Sequence, residues 1–305
     1  MGQEKKRNTS GLISFFLFLL FLQSLPLVPA RHPIELRFRG LTIDDGLSSN
    51  LTTRVFVDRN GFLWVGTFAG LNCYDGYSFR QYHHQPGDGN SLSHDYIRAM
   101  HDDCLGRLWV ITRKGLDILD PHTGQVRRLG ISAAQLEGAS IKETRRGEMW
   151  ISSWETGLLR MESTSGRILP LPEPLRSGLC SKMKVASAMD LEDNQGNFWI
   201  SKETGGAFRF SPATGRLDHF QAGKGSANKL LGNSVYDICQ DKDGYIWIVN
   251  SAGLNRFDPA LETIRNFPLP GSQGRADGYF SCMFVVADPC GWIWLATNQG
   301  IILFD

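Results

Sequence analysis

The 305-residue sequence has no excess of charge of either sign, with 32 Lys and Arg against 31 Asp and Glu and a formal net charge of +1. Without a basic field there is no electrostatic footprint for nucleic acid, and no acidic tail is present either. No segment keeps a 3.6-residue apolar period long enough for a helix of ten residues, which excludes helical bundles and helical repeats. Catalytic signatures are missing: there is no G-x-S-x-G elbow, no H-E-x-x-H, no P-loop and no run of calcium-ligating aspartates. Six cysteines occur (Cys73, Cys104, Cys180, Cys239, Cys282 and Cys290), but none sits in a C-x-x-C or Cys–His spacing suited to metal or redox chemistry. No catalytic residue, metal ligand or cofactor is therefore assigned. What is abundant is glycine (33), phenylalanine (18) and tryptophan (8), in a chain that is 42% hydrophobic. That mixture fits aromatic-rich strands between tight turns.

The beginning of the chain reads as a secretory signal peptide over residues 1–30. Lys5, Lys6 and Arg7 form a positive n-region, Gly11 to Leu22 an apolar h-region, and Val28-Pro29-Ala30 a cleavage site. Twelve helical residues reach only ~18 Å against a hydrocarbon core of ~30 Å, so this is not a membrane span. The expected mature domain, 31–305, contains no membrane span and lies on the periplasmic or extracellular side.

Six tryptophans recur in one context: Trp64, Trp109, Trp150, Trp199, Trp247 and Trp294, spaced 45, 41, 49, 48 and 47 residues apart. Three residues before each stands a glycine (Gly61, Gly106, Gly147, Gly196, Gly244, Gly291). Six residues before stands an aspartate (Asp58, Asp103, Asp193, Asp241, Asp288), with Thr144 the exception. Six or seven residues after comes a second glycine: Gly70, Gly115, Gly157, Gly205, Gly253, Gly300. Asp-x-x-Gly is type I turn chemistry, the carboxylate accepting backbone N–H groups and the glycine taking the left-handed exit. A β-rich run on either side makes a hairpin, and a third and fourth strand complete each unit. Four antiparallel strands in about 46 residues, repeated, predict an all-β propeller of six recognisable four-stranded blades. Each Trp is then a packing anchor between neighbouring blades. The last blade stops at its third strand, and Leu36 to Thr42 resembles a spare fourth strand.

The chain resembles the two-component-regulator propeller repeats of the periplasmic sensor region of hybrid two-component systems. The carriers are Asp44-Asp45-Gly46-Leu47-Ser48-Ser49-Asn50, Asn60 to Thr67, Asn90 to Ile97 and Asp241 to Ile248. The resemblance implies that the blades form part of a seven-bladed ring. It also implies an oligosaccharide-type ligand, self-association as a sensor dimer, and a longer protein that is a histidine kinase. Nothing in this chain resembles the kinase itself, so the chain is read as a sensor and not an enzyme.

In a propeller the Asp-x-x-Gly turns share one face, nearly constant here, while the loops after the second strands share the other and vary. Variable loops on a rigid scaffold carry recognition. The candidate ligand residues are Phe68, Arg113, Lys114, Trp154, Lys202, Glu203, Asn250 and Asn298. Trp154 stands out as a second tryptophan away from the packing position, and an aromatic beside amide and charged groups suits a sugar face. The alternatives are a secreted propeller enzyme acting on glycans, a lyase or hydrolase, and a scaffold that binds another protein.

Overall fold

Each Gly-x-x-Trp unit folds into one antiparallel meander. In the computed structural model, residues 40–180, 187–202, 204–223, 229–269, 282–298 and 300–304 are described. Blade one contains β1 (Thr52–Val57), β2 (Leu63–Thr67), β3 (Leu71–Tyr74) and β4 (Phe79–Tyr82). Blade two contains β5 (Ile97–Asp102), β6 (Leu108–Thr112), β7 (Gly115–Leu119) and β8 (Val126–Ser132). Blade three contains β9 (Ser140–Glu143), β10 (Glu148–Ser153), β11 (Gly157–Glu162) and the two-residue β12 (Ile168–Leu169). A six-residue helix, α1 (Leu175–Cys180), leads towards blade four: β13 (Ser187–Glu192), β14 (Phe198–Lys202), β15 (Gly206–Phe210) and β16 (Leu217–Phe220). Blade five contains β17 (Val235–Gln240), β18 (Ile246–Asn250), β19 (Gly253–Asp258) and β20 (Thr263–Pro268). Blade six has three strands among the described residues: β21 (Cys282–Ala287), β22 (Ile293–Thr297) and β23 (Gly300–Phe304). Every neighbouring pair is antiparallel and consecutive, and the blades together form a β-propeller.

The turn chemistry is as the repeat requires. Asp103 accepts from the backbone N–H of Leu105 and Arg107, and Gly106 closes the turn at φ +76°. Thr144 makes the same turn in blade three, its hydroxyl accepting from Glu148 N. One glycine differs from the sequence reading. The residue that opens the third strand of blade four is Gly206, not Gly205, because Lys202 pairs with Gly206. A Cβ on Gly206 would fall 2.1 Å from the Phe220 carbonyl of the fourth strand, so no other residue fits.

The core lies between blades. Trp64 and Leu71 of blade one pack with Ile97, Met100 and Leu108 of blade two. The same arrangement recurs for Trp109 against Ile141 and Met149, for Trp150 against Met189 and Phe198, for Trp199 against Ile238 and Ile246, and for Trp247 against Val285 and Ile293. Trp64, Trp109, Trp199 and Trp247 are buried, as anchors should be. Met100, Ile141, Met189, Ile238 and Val285 occupy one register position of the innermost strands and are 2–7% exposed; Val55, at that position in blade one, is 64% exposed. Leu71, Leu116, Leu158, Ala207 and Leu254 share a third-strand position at 0–7%, where Ile301 of blade six is 73% exposed.

Of the expected spare strand at 36–42, residues 36–39 lie outside the described residues, as do residues 1–30. Gly40 to Thr42 form no strand. Thr42 instead caps a 3-10 turn, Ile43–Asp45, through a reciprocal bond with Asp45. Cys73, Cys104, Cys239 and Cys290 are free thiols. No helix among the described residues is long and apolar enough to cross a membrane.

Candidate functional site

The loops after the second strands are held by one repeated bond. Phe68 N donates to Leu51 O at 3.1 Å, Arg113 N to Tyr96 O at 2.9 Å, Trp154 N to Glu137 O at 3.0 Å and Ser251 N to Ser234 O at 3.1 Å. Each bond ties the residue leaving the second strand to the chain entering the innermost strand of the same blade. These side chains are therefore presented from fixed positions.

The sequence-predicted residues separate into three groups. Phe68, Arg113, Lys114, Trp154 and Asn298 are exposed on these loops. Phe68 stacks on Tyr96 with ring centroids 4.5 Å apart, while burial first, and then Lys114 and Arg113, lower the pKa of His94. Lys202 and Asn250 are buried at the ends of β14 and β18. Asn250 Oδ1 accepts from Ala252 N, the role that the Thr67 and Thr112 hydroxyls fill for Ala69 and Lys114, so its acceptor serves the turn. Glu203 lies outside the described residues.

Trp154 borders a cavity of about 390 Å³ shared by blades one, two and three. Its other lining residues are Thr53, Arg54, Tyr96, Ile97, Arg98, Glu137, Gly138 and Ala139. The indole of Trp154 lies against Gly138, where φ is +63° and a Cβ would fall 2.3 Å from the ring. Only glycine lets the ring rest there. Arg98 Nη1 donates to Glu137 Oε2 at 2.7 Å, and its guanidinium lies 5.9 Å from the Tyr96 ring centroid. Thr53 Oγ1 is buried with no hydrogen-bond partner among the described residues.

Arg54, Tyr96, Arg98 and Glu137 were not legible in the sequence. In β1 and β5 the ladder skips one residue, between Thr52 and Arg54 and between Ile97 and Ala99. Each skip is a bulge at Thr53 or Arg98, and a bulge re-aims a side chain without any compositional mark.

Trp154 differs from its neighbours in bonding. The repeat tryptophans donate their indole N–H to a carboxylate: Trp64 to Asp58, Trp109 to Asp103, Trp150 to Glu148, Trp199 to Asp193, Trp247 to Asp241 and Trp294 to Asp288. Trp154 is 56% exposed, and its N–H has no partner among the described residues.

Two acids lie on neighbouring innermost strands elsewhere in the ring. Burial, then the charge of Asp237, pushes the Asp190 carboxyl up to about 8; burial raises that of Asp237. Asp190 accepts from Ser201 N at 2.9 Å, and Asp237 from Val285 N of the next blade at 2.9 Å. Among the described residues no group of three or more His, Cys, Asp or Glu is placed to hold a metal ion.

Repeated meander blades, packed through one tryptophan each and carrying a pocket at their loop ends, define a β-propeller. Within that class, residues 46–69 and 229–252 match the family described as Two component regulator propeller. Both matches run from a linker with a buried leucine, Leu47 or Leu230, to the loop after the second strand. Histidine kinase P4 of Formosa agariphila is 43% identical over 56 residues, 18% of this chain and 4% of that protein. An extracellular domain described as belonging to a hybrid two component system of B. thetaiotaomicron superposes with a TM-score of 0.64 at 22% identity, over 88% of this chain and 35% of that one. Another, described as belonging to a one component system of the same organism, gives 0.65 at 22%, over 87% and 37%. A streptogramin B lyase shares the fold at a TM-score of 0.54 and 14% identity, over 85% and 84%. The chain thus spans little more than a third of the two extracellular domains and a small part of the kinase.

Proposed function

We propose that this chain is the ligand-sensing propeller of an extracytoplasmic two-component sensor, with an oligosaccharide-type ligand held in the cavity beside Trp154. The observation that carries this reading is the state of Trp154. A large aromatic face open to solvent, fixed on Gly138 and with a free N–H, is what stacking on a sugar ring and bonding its hydroxyls require. The family match and the printed descriptions of the extracellular domains support the sensor part of the reading. On this reading the chain lies outside the cytoplasm, passes its signal to a histidine kinase of the longer protein, and associates as a sensor dimer. The two uncovered faces at Val55 and Ile301 support the expected seven-bladed ring.

The test is a titration of neutral and acidic oligosaccharides followed by intrinsic tryptophan fluorescence. Binding that Trp154→Ala weakens about ten-fold or more, with the fold intact by circular dichroism, is the expected result. Affinity unchanged in that variant removes Trp154 from the site. An apolar ligand preferred over all sugars would overturn the ligand class.

A further inference from the structure

We infer that the saccharide taken by this cavity carries a carboxylate, as a uronic acid does; the inference rests on the saccharide reading just given and narrows it. The lining is rich in donors and poor in acceptors. Arg54, Arg98 and Trp154 all border the space, while the one carboxylate of the lining is Glu137. Glu137 is already engaged by Arg98 at 2.7 Å. Arg54 is exposed and has no carboxylate partner among the described residues. The ionisable lining is thus two guanidiniums against one carboxylate.

A neutral sugar offers hydroxyls, each both donor and acceptor, and gains nothing particular from an unpaired guanidinium. A uronate offers two coplanar oxygens that a planar guanidinium binds through parallel N–H···O bonds. The same ring presents C–H groups to Trp154. Stacking and charge are therefore separable here, the first residing in blade three and the second in blades one and two.

The experiment titrates the chain with a panel of uronate disaccharides (glucuronate-, galacturonate- and mannuronate-containing) and the neutral disaccharides of the same linkage. Wild type, Arg54→Gln and Trp154→Ala are compared, each checked for fold by circular dichroism. At least one uronate disaccharide binds about ten-fold or more tightly than its neutral counterpart, and the preference falls to near parity in Arg54→Gln. Added salt weakens the acidic sugar and leaves the neutral one little changed. Trp154→Ala weakens both. Equal affinity for the two sugars, still sensitive to Trp154→Ala, overturns the charge inference and leaves the saccharide reading standing. A preference for uronate that survives Arg54→Gln also overturns the assignment. Failure of every sugar to bind overturns both.

Discussion

The aspartate six residues before each repeat tryptophan serves two ends at once. One carboxylate oxygen accepts turn N–H groups and the other accepts the indole N–H, as in Asp193, which binds Gln195 N and Asn197 N at 2.9 Å each and Trp199 Nε1 at 2.8 Å. The first role follows from Asp-x-x-Gly in the sequence. The second joins residues six apart across a turn, which spacing alone does not reveal. It explains how blade three tolerates Thr144: the Trp150 indole turns to Glu148, and Arg160 holds that carboxyl below its ordinary range. Asp193→Ala leaves the indole and two backbone N–H groups without acceptors, and should lower stability by about 2–4 kcal/mol, read from denaturant midpoints. Asp190 gives the opposite kind of prediction. Its folded-state pKa of about 8 lies above the unfolded value near 4, so the unfolded chain is ionised where the folded chain still holds the proton. Its contribution is greatest below about pH 4 and is lost as pH rises to about 8. Asp190→Asn keeps an acceptor for Ser201 N and removes this slope. The variant should match wild type near pH 4 and exceed it at pH 8 in thermal unfolding.

At the scale of the blade, packing and hydrogen bonding run along the same junctions. In blades one to four the residue after the turn aspartate, or after Thr144 in blade three, donates its N–H to a side chain at the end of the next blade's innermost strand: Arg59 N to Asp102, Cys104 N to Glu143, Arg145 N to Glu192 and Asn194 N to Gln240. Four of the five junctions therefore have an apolar Trp contact and, at the turn end, a polar clasp. The tryptophan half was legible because its register repeats without exception. The clasp was not, because its residue varies between Asp, Glu and Gln and is Ala287 in blade six. The variable loops were legible as a class, yet composition could not say which of their side chains point outward. Lys202 and Asn250 close off strand ends, whereas Trp154 stands clear because Gly138 leaves room for it. Trp109→Ala and Trp199→Ala should each cost about 3–5 kcal/mol, since neither site can collapse between two sheets. Glu192→Ala should cost about 1–2 kcal/mol at the blade three–four junction. Chemical denaturation of the three variants separates anchor from clasp.

Over the whole molecule, five junctions between blades are covered and two faces are not. Blade one presents Leu51, Val55 and Val57, and blade six presents Phe284, Val286, Ile301 and Leu303, all exposed. The counterparts of Val55 and Ile301 are buried wherever a neighbouring blade precedes or follows. The chemistry of these faces is that of the covered junctions. Blade six offers the side that elsewhere receives an innermost strand, and blade one the side that elsewhere receives a tryptophan. One further blade of the same repeat would present both, the arrangement of a seven-bladed ring. With these faces bare, about 25 cal/mol per Å² of apolar surface remains unrealised, and contiguous patches of this kind favour association. The chain by itself should therefore associate as its concentration rises, with sedimentation velocity showing a growing heavy fraction. Val55→Lys combined with Ile301→Lys should suppress that fraction while moving the unfolding midpoint little, because neither side chain is buried. Met100→Lys and Leu116→Lys, at the equivalent covered positions, should instead unfold the protein or cost several kcal/mol. Equal damage from both pairs would mean that the faces at Val55 and Ile301 are already packed against one another in solution, and that six blades close the ring.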